Sequence, residues 1–251
     1  MGMIFCLHGY HNDHRMAFDQ IHVPDVAAFV GLRVAVAAVD GGTDSYWPKR
    51  ANGTDALAML IDEFVPLVRT MVGDLPQALM GWSMGGYGAL RAAERDRSGF
   101  VAVAPSSPAL WLTPGATAPG AFDSPSDFYE NDVFTGIEHL QGMAIAVACG
   151  TGYPFYSATR DLVAKMDYPH ASFFGPGFHD DAYWRSVAPE QLRTFLPIFT
   201  WNAGIGYGSR LAPERSPKFS CERPTSGENP AKRALSSNAR PAAEREPRRG
   251  A

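Results

Sequence analysis

Residues 81–85 read Gly81-Trp82-Ser83-Met84-Gly85, between the apolar run Ala78-Leu79-Met80 and the helix-forming stretch Tyr87-Gly88-Ala89-Leu90-Arg91-Ala92-Ala93-Glu94. A G-x-S-x-G pattern in this strand, turn and helix context constrains the backbone sharply. A serine at the apex of a tight strand-to-helix turn takes strained dihedrals, and only small residues two positions to either side let the two elements close around it. Ser83 is then held out over a sheet edge as a candidate nucleophile. The backbone N–H of Met84, in the first turn of the new helix, lacks an intrahelical partner and is free to point at a developing oxyanion.

Short apolar runs alternate with helical patterns along the chain. Met3–Leu7, Arg33–Val39, Ala78–Trp82, Phe100–Ala104, Ala144–Cys149 and Ser172–Phe174 read as strands, and Asp55–Met71, Gly86–Arg95, Ser157–Met166 and Ala188–Phe199 as helices. This alternation implies an α/β fold with a mostly parallel sheet covered on both faces, which binds ligands at the carboxyl ends of its strands. The stretch Ser106–His139, rich in Pro, Gly, Ser and aromatic residues, reads as an excursion over that edge.

With 251 residues, 45% of them hydrophobic, one domain over residues 1–202 is expected. Residues 203–251 change to Gly, Pro, Ser, Arg and Glu, a composition too poor in apolar residues to offset its ordering entropy, and are expected to be a disordered tail. Residues 205–251 hold ten Lys and Arg against five Asp and Glu, and this +5 leaves −9 on the rest of a chain whose net charge is −4. An acidic body argues against a nucleic-acid partner. Cys6, Cys149 and Cys221 are too scattered for a disulfide framework. No apolar stretch approaches the ~20 residues of a membrane span and no basic-then-apolar leader follows Met1, so a cytoplasmic location is expected as written, or secretion if an upstream leader is missing.

A serine hydroxyl needs a base within hydrogen-bond reach. His179, in Gly175-Pro176-Gly177-Phe178-His179-Asp180-Asp181, follows the last strand and lies on the same sheet edge, whereas His170 falls at the opposite one. His8-Gly9-Tyr10 ends the first strand at the carboxyl edge, where glycine lets the backbone approach a substrate. The N–H groups of Tyr10 and Met84 are therefore the candidate oxyanion donors, with His8 packed beneath the turn. His14 reads as a solvated or capping residue near the first loop. His8, His11, Asp13 and His14 form no metal set of defensible spacing, and neither a metal nor another cofactor is expected. Tyr10, Trp47, Trp82, Trp111 and Phe155 offer candidate walls for an apolar or sugar-stacking site.

Leu7-His8-Gly9, Gly81-Trp82-Ser83-Met84-Gly85-Gly86, Cys149-Gly150-Thr151-Gly152-Tyr153-Pro154-Phe155 and Gly177-Phe178-His179-Asp180-Asp181-Ala182-Tyr183-Trp184 together resemble the putative-esterase family of the α/β-hydrolase fold, which includes esterase D and the actinobacterial mycolyltransferase antigens. The resemblance runs from about residue 3 to residue 200. It implies Ser83 as nucleophile, His179 as base, and Tyr10 and Met84 as oxyanion donors.

The sequence departs from the family in three places. The family's orienting aspartate, before the Pro-Phe pair, is here Tyr153, which leaves Asp123 or Asp127 as candidate substitutes. The family's first strands are missing, so that the order 1-2-4-3-5-6-7-8 would shrink to six strands with Arg33–Val39 at the edge. The basic tail has no family counterpart. The resulting expectation is a serine carboxylic-ester hydrolase working through an acyl-serine on a small-molecule ester, weakened by Tyr153. An acyltransferase of the mycolyltransferase type, or a non-catalytic acyl- or glycan-binding member of the fold, are the alternatives, and the oligomeric state is left open.

Overall fold

The computed structural model describes residues 1–201, so the proposed tail and Cys221 lie outside the described residues. Six strands, β1 (Gly2–Leu7), β2 (Val34–Val39), β3 (Gln77–Trp82), β4 (Ala102–Ser106), β5 (Ala144–Gly150) and β6 (Ala171–Gly175), form one sheet in the order β2-β1-β3-β4-β5-β6. Every pair is parallel. This is the expected six-strand order, with Val34–Val39 at one edge.

The central strands are buried on both faces, so alternate residues feed two separate cores. Phe5, Leu7, Leu79, Val103 and Val147 face one core. It packs against α2 (Ala56–Ala58), α3 (Val65–Val72), α4 (Met84–Arg95) and α6 (Phe155–Ala164), and α5 (Pro125–Glu130) of the excursion adjoins it through Phe128, which meets Phe122 at 5.2 Å. Ile4, Cys6, Met80 and Trp82 face the other, covered by α1 (Val23–Phe29), α7 (Asp181–Arg193) and α8 (Leu196–Trp201). Cys6 and Cys149 are buried free thiols, as expected of structural residues.

The long helix expected over Asp55–Met71 is instead wound in three pieces, with a π-helical stretch, Met59–Phe64, between α2 and α3. Pro66, at the start of α3, has no N–H to donate and its ring crowds the preceding turn; the wider π turn accommodates both. The helix expected over Ala188–Phe199 begins at Asp181, because the Asp180 carboxylate caps it by accepting from the Tyr183 N–H at 2.9 Å. It ends at Arg193, and a separate α8 begins at Leu196.

The fourth strand runs two residues later than the apolar run Phe100–Ala104, through Pro105 to Ser106. A central strand tolerates proline poorly because the ladder loses a donor. Here the pairing of β4 with β5 breaks between Val103 and Ser106, and a side chain fills the gap. Gln191 of α7, fully buried, donates through Nε2 to the carbonyls of Ala146 (2.8 Å) and Pro105 (3.2 Å), while its Oε1 accepts from the Ser106 hydroxyl at 2.8 Å. Three polar groups that would be orphaned are thereby satisfied, and α7 is tied to the strand beside the elbow.

Candidate functional site

The turn at Ser83 is as tight as the sequence demands. Ser83 has φ 56° and ψ −116°, a strained conformation for a residue with a Cβ. A Cβ on Gly81 would run into the Gly85 carbonyl, and one on Gly85 into the backbone of Leu7 and His8, so neither position admits a larger residue. The strain is held by three backbone bonds: the Ser83 N–H donates to Ser106 O (3.0 Å), and Ser83 O accepts from the N–H groups of Tyr87 (3.1 Å) and Ala109 (2.9 Å). Ser83 is 8% exposed.

The loop after β6 brings His179 to the serine, its Nε2 lying 2.7 Å from Ser83 Oγ across 96 residues of chain. Two backbone bonds fix this loop to the one after β5: Thr151 N–H to Gly175 O (2.9 Å) and Gly152 N–H to Gly177 O (3.0 Å). For Nε2 to accept the serine proton, the ring proton must sit on Nδ1. That atom is buried and has no hydrogen-bond partner. An unsatisfied buried donor costs about 1–3 kcal/mol, and here nothing at Nδ1 selects the tautomer a base requires. Burial also pushes the imidazole pKa from 6.5 down to about 4, with the nearby Asp180 charge opposing the shift only partly.

Neither substitute carboxylate reaches the ring. Asp123 accepts from Arg50 Nη2 (2.9 Å) and the Ala51 N–H (2.6 Å), so its charge serves the excursion's contact with the 50–51 turn. Asp127 lies in α5 and accepts from the Asp123 N–H and Asn131 Nδ2, both at 2.8 Å. Asp123 is engaged by Arg50 and Ala51 from across the chain and Asp127 by its neighbours Asp123 and Asn131, which corrects the expectation that one of them substitutes for the family's acid at His179. Asp180 caps α7, as described above. At the position where the family places its acid, Tyr153 lies flat on the imidazole, with ring centroids 3.9 Å apart and planes at 15°. Trp184 and Phe155 meet the same ring edge-on, at 5.0 and 5.6 Å. A side chain stacked on a face makes no in-plane bond to Nδ1, so Tyr153 does not stand in for the acid as an acceptor.

The His8-Gly9-Tyr10 turn lies against the elbow: a Cβ on Gly9 would sit 3.6 Å from Ser83 Cβ and 3.3 Å from Trp82 O. Met84 opens α4, and its N–H precedes the first intrahelical bond. His8 is packed, as anticipated: its Nε2 accepts from the Gly41 N–H at 3.1 Å and its Nδ1 lies 2.9 Å from Gly9 O. Tyr10, 46% exposed, tilts toward Tyr46 at 6.0 Å; Tyr46 meets Trp111 at 5.5 Å and Trp111 meets Phe155 at 5.3 Å. Trp47 and Trp82, by contrast, are fully buried and belong to the cores rather than to a substrate wall. Sequence reasoning missed Tyr46 and Trp184 in this aromatic ring system; Trp184 was visible only as the end of the His179 motif.

Among the described residues, Asp13, His14 and Asp40 can bring one ligand atom each within 4.8 Å of one another. His14 Nδ1 lies 2.9 Å from Asp40, and Asp13 is held by Arg15, whose guanidinium keeps the carboxyl down at about 2. Asp13 is half-buried and His14 and Asp40 are exposed, and each is already paired, Asp13 with Arg15 and His14 with Asp40.

The architecture and the elbow define an α/β hydrolase, and the family described as "Putative esterase" matches residues 33–194. The chain belongs to that family. Similar solved structures include a ferulic acid esterase (20% identity, TM-score 0.65, covering 77% of this chain and 86% of that one). A second is the fluorophosphonate-binding serine hydrolase FphF of Staphylococcus aureus (19%, 0.62, 77% and 82%). A third is MPT51 of Mycobacterium tuberculosis (16%, 0.60, 77% and 89%). At these identities the likeness concerns the fold. No curated protein sequence matches. Among the described residues no helix is long and apolar enough to cross a membrane.

Proposed function

We propose that this protein hydrolyses small-molecule carboxylic esters through an acyl-serine, with Ser83 as nucleophile and His179 as base. The observation that carries this reading is the 2.7 Å approach of His179 Nε2 to a serine held on a strained elbow. The Ser83 proton passes to Nε2 as Oγ bonds to the ester carbon, and the carbonyl oxygen takes up negative charge facing the Tyr10 and Met84 N–H groups. The imidazolium then gives its proton to the departing alkoxide. Water, activated by the now neutral His179, repeats the sequence on the acyl-serine and releases the acid. An alcohol in place of water would make the same protein an acyltransferase.

The unpartnered Nδ1 favours a weakened enzyme, and in the extreme a non-catalytic ligand-binding member of the fold. Two measurements separate these. A fluorophosphonate probe should label the parent at Ser83, and short-chain p-nitrophenyl esters should turn over slowly in the parent and not at all in Ser83→Ala. A Ser83→Ala variant as active as the parent would overturn the proposal, and a parent that neither labels nor turns over would make the protein a binder.

A further inference from the structure

We propose that Tyr153 is the positioning residue for His179: its ring face holds the imidazole toward Ser83 and stabilises the imidazolium as it forms, in place of a carboxylate at Nδ1. The inference rests on the Ser83–His179 pair being the reacting pair.

An imidazole that is to accept a proton must be held against rotation about its χ angles, and hydrolases commonly achieve this with a hydrogen bond on the nitrogen remote from the serine. His179 has no such bond, since Nδ1 is buried and without a partner. Its ring is nevertheless confined on several sides. Tyr153 covers one face at 3.9 Å and 15°. Trp184 abuts the ring at 5.0 Å and 80°, and Phe155 at 5.6 Å and 68°. Each wall is itself anchored. Trp184 Nε1 donates to Ser107 Oγ at 3.2 Å, and Ser107 is held by its N–H to Ala148 O at 2.7 Å. Phe155 packs on Tyr153 at 5.4 Å. Thr151 and Gly152, just before Tyr153, are tied by backbone bonds to Gly175 and Gly177 of the histidine's own loop, so the two rings ride on one framework.

The face of a phenol ring carries the negative end of its quadrupole. Against neutral imidazole that face contributes dispersion and stacking, and against imidazolium it adds a cation–π attraction, which grows where water is excluded. The interaction is therefore stronger in the transition state than in the resting enzyme, which is the requirement for a catalytic effect. No proton leaves Nδ1 in this scheme: the serine proton moves to Nε2 and on to the leaving alkoxide, and the phenol hydroxyl takes no part.

The test replaces Tyr153 with Phe and then with mono-, di- and trifluorinated phenylalanines, which keep the shape of the ring while draining its face of negative charge. Two rates are read for each: kcat and KM on a short-chain p-nitrophenyl ester, and the second-order rate of fluorophosphonate labelling at Ser83. Tyr153→Phe should retain kcat within about threefold. The fluorinated series should lose kcat and labelling rate stepwise, by about ten- to thirtyfold across the series, with KM nearly constant. Tyr153→Leu, which removes the face altogether, should match the most fluorinated ring or fall below it. A flat fluorination series, or a loss that appears in Tyr153→Phe, overturns the proposal while a labelled parent leaves the Ser83–His179 reading standing; a parent that does not label overturns both.

Discussion

Tyr153→Asp asks whether the missing carboxylate limits this site. An aspartate is short enough to leave the imidazole face and to accept from Nδ1, which now has no partner. The magnitude follows from the state of the imidazole. Its depression from 6.5 to about 4 by burial disfavours the imidazolium by about 3.4 kcal/mol, which is about 300-fold if a paired carboxylate restores it in full. Losing the Tyr153 ring face removes about tenfold. The net gain expected in kcat is on the order of 30-fold, well inside the ~10⁴ associated with the orienting aspartate of serine proteases, and KM should hardly move because the new bond strengthens in the transition state. The acid limb of kcat/KM should shift with it, from about 4 in the parent toward 6.5, since an adjacent anion favours the charged ring. The assay is p-nitrophenyl ester hydrolysis from pH 3.5 to 9, with Ser83→Ala/Tyr153→Asp as the control for hydrolysis away from the site. A gain below threefold with the limb unmoved would refute the reasoning, because it would mean that stabilising the imidazolium at Nδ1 is not what holds the rate down.

In the parent, His179 must be neutral to act as a base, so kcat/KM should hold its plateau down to about pH 5 and fall only near 4; half-loss near pH 6.5 in a pH-rate profile would contradict the buried, depressed imidazole. Gln191→Leu strips donors from the Pro105 and Ala146 carbonyls and an acceptor from the Ser106 hydroxyl, and should destabilise the fold by about 3–5 kcal/mol in urea denaturation. A loss under 1 kcal/mol would mean that water takes over the gap in the ladder. Glu94, 6% exposed and paired with Arg91 at 2.6 Å, has its carboxyl pushed up by burial to about 8. A raised folded pKa gives stability that is complete below the unfolded value and is lost as pH rises through 8, so the parent should lose ~5 °C more in Tm than Glu94→Gln between pH 5 and pH 9; parallel Tm curves would count against it.

What was legible in the sequence was whatever the backbone enforces locally. Gly81, Ser83 and Gly85 could be read as a strained turn because each glycine answers a steric demand a few residues away, and the structure finds that demand in the Gly85 and Leu7 carbonyls. The placing of His179 followed from strand-helix alternation, since a loop after a parallel strand must emerge at the same edge as the elbow, whereas the sheet order came from the family resemblance. What stayed hidden depends on partners distant in sequence. Strand β4 runs on through Pro105, past the apolar run that ends at Ala104, and nothing near it in the sequence announces that Gln191, 86 residues on, satisfies the carbonyls it exposes. Asp123 and Asp127 looked available as acids because their claimants, Arg50, the Ala51 N–H and Asn131, become visible only once the excursion is folded. Trp47 and Trp82 looked like possible walls because aromatic character does not separate a core ring from a site ring; burial does.

A carboxylate and an aromatic wall act on a catalytic imidazole in different ways. The carboxylate raises the pKa of the ring and stabilises its charged form strongly, so it speeds the transfer from serine but protonates the base earlier as pH falls. Three rings packed around His179 exclude water and leave it neutral to about pH 4, and only the face of Tyr153 recovers part of the lost imidazolium stability. With Ser83 Oγ already 2.7 Å from Nε2 on a strained turn, the closeness of the two groups does not depend on a carboxylate at Nδ1. On the proposed mechanism the site would therefore give up rate and gain acid range. That exchange turns on residue 153, because the elbow and the backbone bonds between the two loops are set by Gly81, Gly85 and main-chain groups whatever side chain stands there.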